Sequence, residues 1–263
     1  MKIATWNLER ALPQSKKAER QRQWFSRIDA DIWVLTETHL GITPGEGYHS
    51  IASGLPDRPP QTSLEHPRAT SPEQLSDAGE RWIQIWVRQE WAIAPLATCD
   101  HARTACALVT AASGQPYLVY GTVLPWLDSS WRTHPPKQAF AAALAAQQAD
   151  WVHLRAAYPE AVLVVAGDFN QDLNALPYYG SRQNKLALGQ ALANVELDCL
   201  TAGENDPVYR LSGQHSNTDH ICMTPNPSGQ FQSSFAWPPR LEDLRGLSDH
   251  FGVGVDIRIG PPI

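Results

Sequence analysis

The chain has 263 residues, 43% of them hydrophobic, and a formal charge of −6 from 21 basic and 27 acidic residues. Length and apolar content exclude a disordered chain and allow one domain, residues 1–263, with a sizeable core. The acidic balance argues against a broad cationic surface that grips nucleic acid by counterion release, but it leaves room for a local groove.

The ends and the cysteines narrow the setting. The opening MKIATWNLER has no apolar signal-like run, and no stretch approaches the roughly 18 apolar residues of a membrane span. Cys99, Cys106, Cys199 and Cys222 form no CxxC pair and sit at no zinc-ligand spacing. They read as small buried hydrophobes in a reducing compartment. The expectation is a soluble, cytoplasmic protein with no membrane span and no predicted protein partner.

In chain order, residues 2–6 (KIATW) predict a first strand that stops at Asn7. Residues 15–28 place Ala18, Trp24, Phe25 and Ile28 on one helical face. Lys16, Lys17, Arg20 and Arg22 fall on that helix and read as its solvated face. Residues 31–36 (DIWVLT) are apolar on both sides, as in a buried strand. Strand, helix, strand makes a βαβ-sized unit, so Asn7 and Glu37 should emerge at the same sheet edge.

Residues 41–79 predict a short strand at 48–52 and then a long loop rich in Pro, Ser, Gly and Thr. The alternating RWIQIWVR at 81–88 reads as a strand, and 105–110 and 117–123 as two more around a Ser113-Gly114 turn. A loop at 124–136 carries Trp126, Trp131, Arg132 and His134. The stripe Phe140, Leu144, Trp151, Leu154 predicts a helix over 137–158, stopped by Pro159. Residues 161–166 form a central strand running into Gly167-Asp168-Phe169-Asn170. A helix follows at 185–192, and from Thr218 onward come strands between Pro and Gly loops, the last at 252–259.

Polar residues recur where these apolar strands stop: Asn7, Glu37, Asp168 with Asn170, Asp219, and Asp249 with His250. Rigid strand ends are where binding groups gather. Hard cations take carboxylate oxygens, which Glu37, Asp168 and Asp249 offer. An imidazole such as His250 exchanges a proton near neutral pH, and a partner Asp orients it. Carboxylates, an amide and a His around a metal are the parts of phosphoester hydrolysis.

These segments, TWN, ET, GDFN, TDH and SDH in that order, resemble the endonuclease/exonuclease/phosphatase superfamily, which contains exonuclease III-like and deoxyribonuclease I-like enzymes. The resemblance spans nearly the whole chain. It implies an α/β, or α+β, four-layer sandwich: two mixed β-sheets packed face to face with helices outside. It implies Mg²⁺, with Mn²⁺ as a substitute, held by Glu37 with Asn7 and Asp249 nearby. It implies that His250 acts on the attacking water or on the phosphate charge, and that Asp219 hydrogen-bonds His250. Asp168 would orient the nucleophile or protonate the leaving oxygen, and Asn170 would hold a phosphate oxygen.

One position departs from the family pattern. Many members place a His or Tyr after a central strand, where it meets the scissile phosphate, and residues 122–125 hold neither. Trp126, Arg132 or His134 are the candidates to fill the gap and bind substrate. The implied activity is a metal-dependent phosphoesterase that hydrolyses phosphodiester bonds, with DNA or RNA as one candidate substrate class. The alternatives are a phosphatase or phosphodiesterase on a small or lipid phosphoester, and a catalytically silent binding member.

Overall fold

A computed structural model describes residues 1–56, 79–175, 178–226 and 229–259. Most of the expected 41–79 loop, residues 57–78, lies outside the described residues. The elements are β1 (Lys2–Asn7), α1 (Lys16–Ile28), β2 (Ile32–His39), β3 (Tyr48–Ala52), β4 (Glu80–Arg88), β5 (Ala92–Leu96), β6 (Thr104–Thr110), β7 (Pro116–Val123), α2 (Pro136–Ala157), β8 (Val162–Asp168), α3 (Arg182–Asn194), β9 (Asp198–Cys199), α4 (Pro207–Ser212), β10 (Asp219–Met223), β11 (Gly229–Trp237) and β12 (Gly252–Ile259).

The strands form two six-stranded mixed sheets. The first has the order β11-β12-β1-β2-β4-β3 and the second β5-β6-β7-β8-β10-β9. The β1/β2 and β7/β8 pairs are parallel, and their neighbours are antiparallel. In a strand, successive side chains point to opposite faces. On β1, Ile3 enters the layer between the sheets, with Val34, Ile85, Val119 and Val164, while Ala4 and Trp6 face outward. Outside the first sheet, Trp6, Trp33 and Trp237 pack with Phe25 of α1 through edge-to-face contacts. Outside the second, Leu118, Leu163 and Val165 pack with residues of α2 and α3. The result is the four-layer α/β sandwich, with one core between the sheets and others between each sheet and its helices.

Local chemistry explains the helix starts. The Ser15 and Ser181 hydroxyls accept the N–H groups of Ala18 and Asn184, capping α1 and α3. Gly121 lets the sheets approach, because a Cβ there would lie 2.4 Å from Ile83 Cγ2.

Three elements depart from the sequence reading. β5 is an exposed edge strand with Pro95 and only β6 beside it, so it lacks an alternating apolar signal. β9 is two residues long. α4 is a single short helix opened by an Asp206 cap and Pro207 at its first position. The cysteine reading needs correction too: Cys106 and Cys222 are buried, but Cys99 is exposed and Cys199 half-buried.

Candidate active site

Strand alternation carries three polar side chains into the inter-sheet layer at its open end. Asn7 continues the Ile3 face of β1, Asp168 the Val164–Ala166 face of β8, and Asp219 the Ile221 face of β10. Alternation alone would send Glu37 to the opposite side, with Trp33 and Leu35. Its φ of 44° breaks the pattern, and its Oε1 accepts from Asn7 Nδ2 at 3.3 Å. Arg10 and Asn170 also have left-handed backbones, with φ of 50° and 48°. Such conformations are uncommon for non-glycine residues and cluster where function needs a particular side-chain aim.

The centre is a compact cluster in which Asp168, Asp219 and His250 bring ligand-type atoms within 4.8 Å of one another. Asp168 and Asp219 are direct partners across the antiparallel β8/β10 pair. His250 Nδ1 lies 2.5 Å from Asp219 Oδ2. The other Asp219 oxygen, Oδ1, is buried without a hydrogen-bond partner. Asp168 accepts from Asn170 N at 2.8 Å and from Asn7 Nδ2 at 3.1 Å. The segment carrying His250 is tied to β1: Ser248 Oγ donates to the Asn7 carbonyl, and Trp6 Nε1 donates to the His250 carbonyl.

Electrostatics follow from burial and like charge. Burial first, and then the Asp219 charge, push Asp168 up to about 7. Burial alone would lower His250, but the charges of Asp219 and Asp168 and the hydrogen bond to Asp219 hold it well above the ordinary imidazole value. Partial burial raises Asp249; the His250 charge opposes this, and Glu9 and Glu37 add to it. At neutral pH the cluster therefore holds an imidazolium beside a carboxyl group poised to exchange its proton.

A cavity of about 550 Å³ opens over this cluster. Glu37, Asp168, Asn170, Asp219, Asp249, His250 and Trp126 all line it, and Asn7 sits just beneath, bonded to Glu37 and Asp168. Arg132 and His134, the other two substrate-binding candidates, are not among the residues that line it. Arg132 donates to the Cys99 carbonyl and lies over Trp131, and His134 stacks on Trp131 while their backbones bond both ways. Residues 131–134 are a closed turn packed on itself. Trp126 instead leans on Trp82, with the Arg103 guanidinium over both rings.

The sequence reading missed Arg10, Tyr178, Tyr179 and His215 in the cavity wall. Arg10 Nε lies 3.1 Å from Glu37 Oε2 and 3.5 Å from Glu80 Oε1. Burial, and then the Asp168 charge, raise the Tyr179 phenol, which stays neutral. The signals were present: an Arg three residues after Asn7, a Tyr-Tyr pair in the loop after GDFNQD, and a His four residues before Asp219. His220 faces away, between Cys199, Thr201 and the Gln171 carbonyl.

A sandwich of two mixed sheets with a carboxylate-imidazole cluster at one end defines the class of protein. The Endonuclease/Exonuclease/phosphatase family matches residues 4–250, and the chain belongs to that family. Solved structures share the fold. Humanized D. rerio TDP2 is 15% identical, with 98% of each chain covered and a TM-score of 0.62. The human Nocturnin catalytic domain with bound sulfate anion is 17% identical, covering 98% of this chain and 93% of that one, with a TM-score of 0.62. The endonuclease domain of TRAS1, a telomere-specific non-LTR retrotransposon, is 12% identical, with 98% of each covered and a TM-score of 0.64. No curated protein matches the chain. Among the described residues, no helix is long and apolar enough to cross a membrane.

Proposed function

We propose that the chain is a metal-dependent phosphodiesterase that hydrolyses phosphoester bonds at the Asp168–Asp219–His250 cluster. Family membership supports phosphoester hydrolysis. The observation that carries the reading is the cluster itself: a buried carboxyl with a raised pKa, an imidazolium held by a second carboxylate, and a cavity over both. Perturbed titratable groups converging in a cleft mark functional sites.

The residues present fit a hard divalent cation, Mg²⁺ or Mn²⁺. Glu37 and Asp249 offer carboxylate oxygens at the cavity, and the buried Asp219 Oδ1 lacks a donor. Arg10, already paired with Glu37, marks the spot as one that attracts positive charge. Glu37, Asn7 and Asp249 would hold the ion, and Asn7 would have to present Oδ1, which here accepts the Glu9 N–H. When bound, such an ion supplies charge neutralisation and polarisation of a phosphoryl oxygen.

The chain's own groups divide the remaining work. With Nδ1 committed to Asp219, His250 keeps Nε2–H for a phosphate oxygen, where its charge stabilises the transition state. Asp168 takes the proton of the attacking water, and the Asn7 amide and Asn170 N–H hold its carboxylate in place. Asn170, anchored by its side chain to the Leu124 carbonyl, has a second amide hydrogen for the phosphate.

Hydrolysis of bis-p-nitrophenyl phosphate with Mg²⁺ or Mn²⁺ tests the proposal. Turnover is expected in the wild type, with losses of about a hundredfold or more in Asp168→Ala and His250→Ala. No turnover, or turnover in both variants unchanged from the wild type, would sink the reading of this cluster as a hydrolytic site.

A further inference from the structure

The cavity is larger than a phosphate needs, and one wall is built for something flat. Tyr178 lines it while 49% exposed. His215 meets it edge to face, with ring centroids 5.3 Å apart and planes at 63°. That spacing leaves no room for a ring between them, so His215 braces Tyr178, whose half-exposed ring borders the cavity.

Both residues sit on segments pinned by buried aspartates that take no part in the chemistry described above. Asp172 is fully buried and accepts the backbone N–H groups of Tyr178 and Tyr179, at 3.0 and 2.9 Å, and the Lys185 ammonium at 2.7 Å. Gln171 closes the same loop from its other end by accepting the Ser181 N–H and donating to the Tyr179 carbonyl. Asp206, also buried, accepts the Asn217 N–H and the Asn174 amide beside His215. A buried carboxylate is costly unless fully bonded, and here two are fully engaged in holding the wall still. Preformed aromatic walls bind flat ligands with little ordering cost. His215 also keeps a buried Nδ1 without a hydrogen-bond partner, a place for the polar edge of a ligand beside the ring.

We propose that Tyr178 is a stacking platform, braced by His215, for a planar ring with a hydrogen-bonding edge carried on the substrate phosphate; the substrates are then nucleotide-type phosphoesters. This rests on the phosphodiesterase reading for its phosphate site. Tyr178 acts by contact with the ring, and Asp172 and Asp206 are positioning residues.

Calorimetric titration with thymidine 5′-monophosphate and with deoxyribose 5-phosphate, which share the sugar phosphate and differ in the ring, tests the platform without turnover. The wild type should bind the ring-bearing ligand about tenfold more tightly, the scale of one base–aromatic stack. Tyr178→Ala should bring the ratio close to one, Tyr178→Phe should keep it, and His215→Ala should lower it. A ratio near one in the wild type, a ratio retained in Tyr178→Ala, or no binding of the nucleotide would overturn the inference. Turnover of bis-p-nitrophenyl phosphate is scored separately. A preserved ratio with no turnover would sink the enzyme reading and leave the platform, and turnover without a ratio would do the reverse.

Discussion

Asp168 and Asp219 face each other as direct partners across the β8/β10 antiparallel pair. Like charges at such a position are destabilising, and both side chains are buried. The arrangement is relieved by a proton on Asp168 and by the imidazolium of His250, so three groups share charge as a unit.

That coupling sets the pH profile. Asp168 must lose its proton, so activity should rise through about pH 7, and His250 must keep its own, so activity falls at higher pH. In Asp219→Asn the negative charge is gone. Asp168 then ionises at lower pH, because one cause of its raised value is removed. His250 also loses its proton at lower pH, because its main support is removed while burial still disfavours the charge. The whole bell should slide about one pH unit or more toward acid. Rates of bis-p-nitrophenyl phosphate hydrolysis against pH at saturating Mg²⁺ would show it. A lower maximum at an unmoved pH would separate Asp219 from the titration.

Glu37 and Arg10 give a metal prediction. Arg10 stands on Glu37 at 3.1 Å, where a divalent cation would compete with it. Glu37→Gln should raise the Mg²⁺ concentration for half-maximal activity by about tenfold or more. Arg10→Ala should lower it by a few-fold, because a partly exposed ion pair is worth little and competes only weakly. EDTA should abolish turnover in all three proteins, and excess Mg²⁺ should restore it. Turnover that survives EDTA would remove the metal from the mechanism.

Much of the site was legible because strand ends are where apolar patterns stop. Asn7, Asp168 and Asp219 follow from alternation along β1, β8 and β10, since each continues an inward-facing row. Glu37 was legible as a residue type but not as a direction: alternation points it the wrong way, and only the left-handed φ turns it inward. The Tyr178 and His215 wall was hidden because it depends on Asp172 and Asp206 meeting backbone N–H groups six and eleven residues away. The packing of Arg132 and His134 on the Trp131 ring was not legible, because a loop carrying Trp, Arg and His gives no sign of which of them pack on one another. α4 was announced by Asp206-Pro207, a capped start too short to register as an apolar period.

Gly167 shows how the backbone places Asp168. Its φ is 135°, and a Cβ there would lie 2.1 Å from the Thr122 carbonyl oxygen on β7. The obstacle is backbone, which cannot swing aside. Gly167→Ala should cost about 3 kcal/mol or more in urea unfolding and should displace the next residue, so activity falls even where the variant folds. Unfolding midpoints within error of the wild type would show that β7 and β8 are less tightly set.

Asp172 separates stability from chemistry. Its carboxylate is buried and meets Lys185 Nζ and two backbone N–H groups, none of them at the catalytic cluster. Asp172→Ala strands those donors in a low-dielectric wall, which should cost about 3 kcal/mol in urea unfolding. Asp172→Asn keeps the shape and one acceptor but loses the charge facing Lys185, so its cost should be smaller. Because the reacting groups are untouched, the loosened Tyr178–Tyr179 segment should raise KM for a ring-bearing phosphodiester more than it lowers kcat. A fall in kcat alone, with KM unchanged, would mean that the wall orients the reacting phosphate rather than the group attached to it.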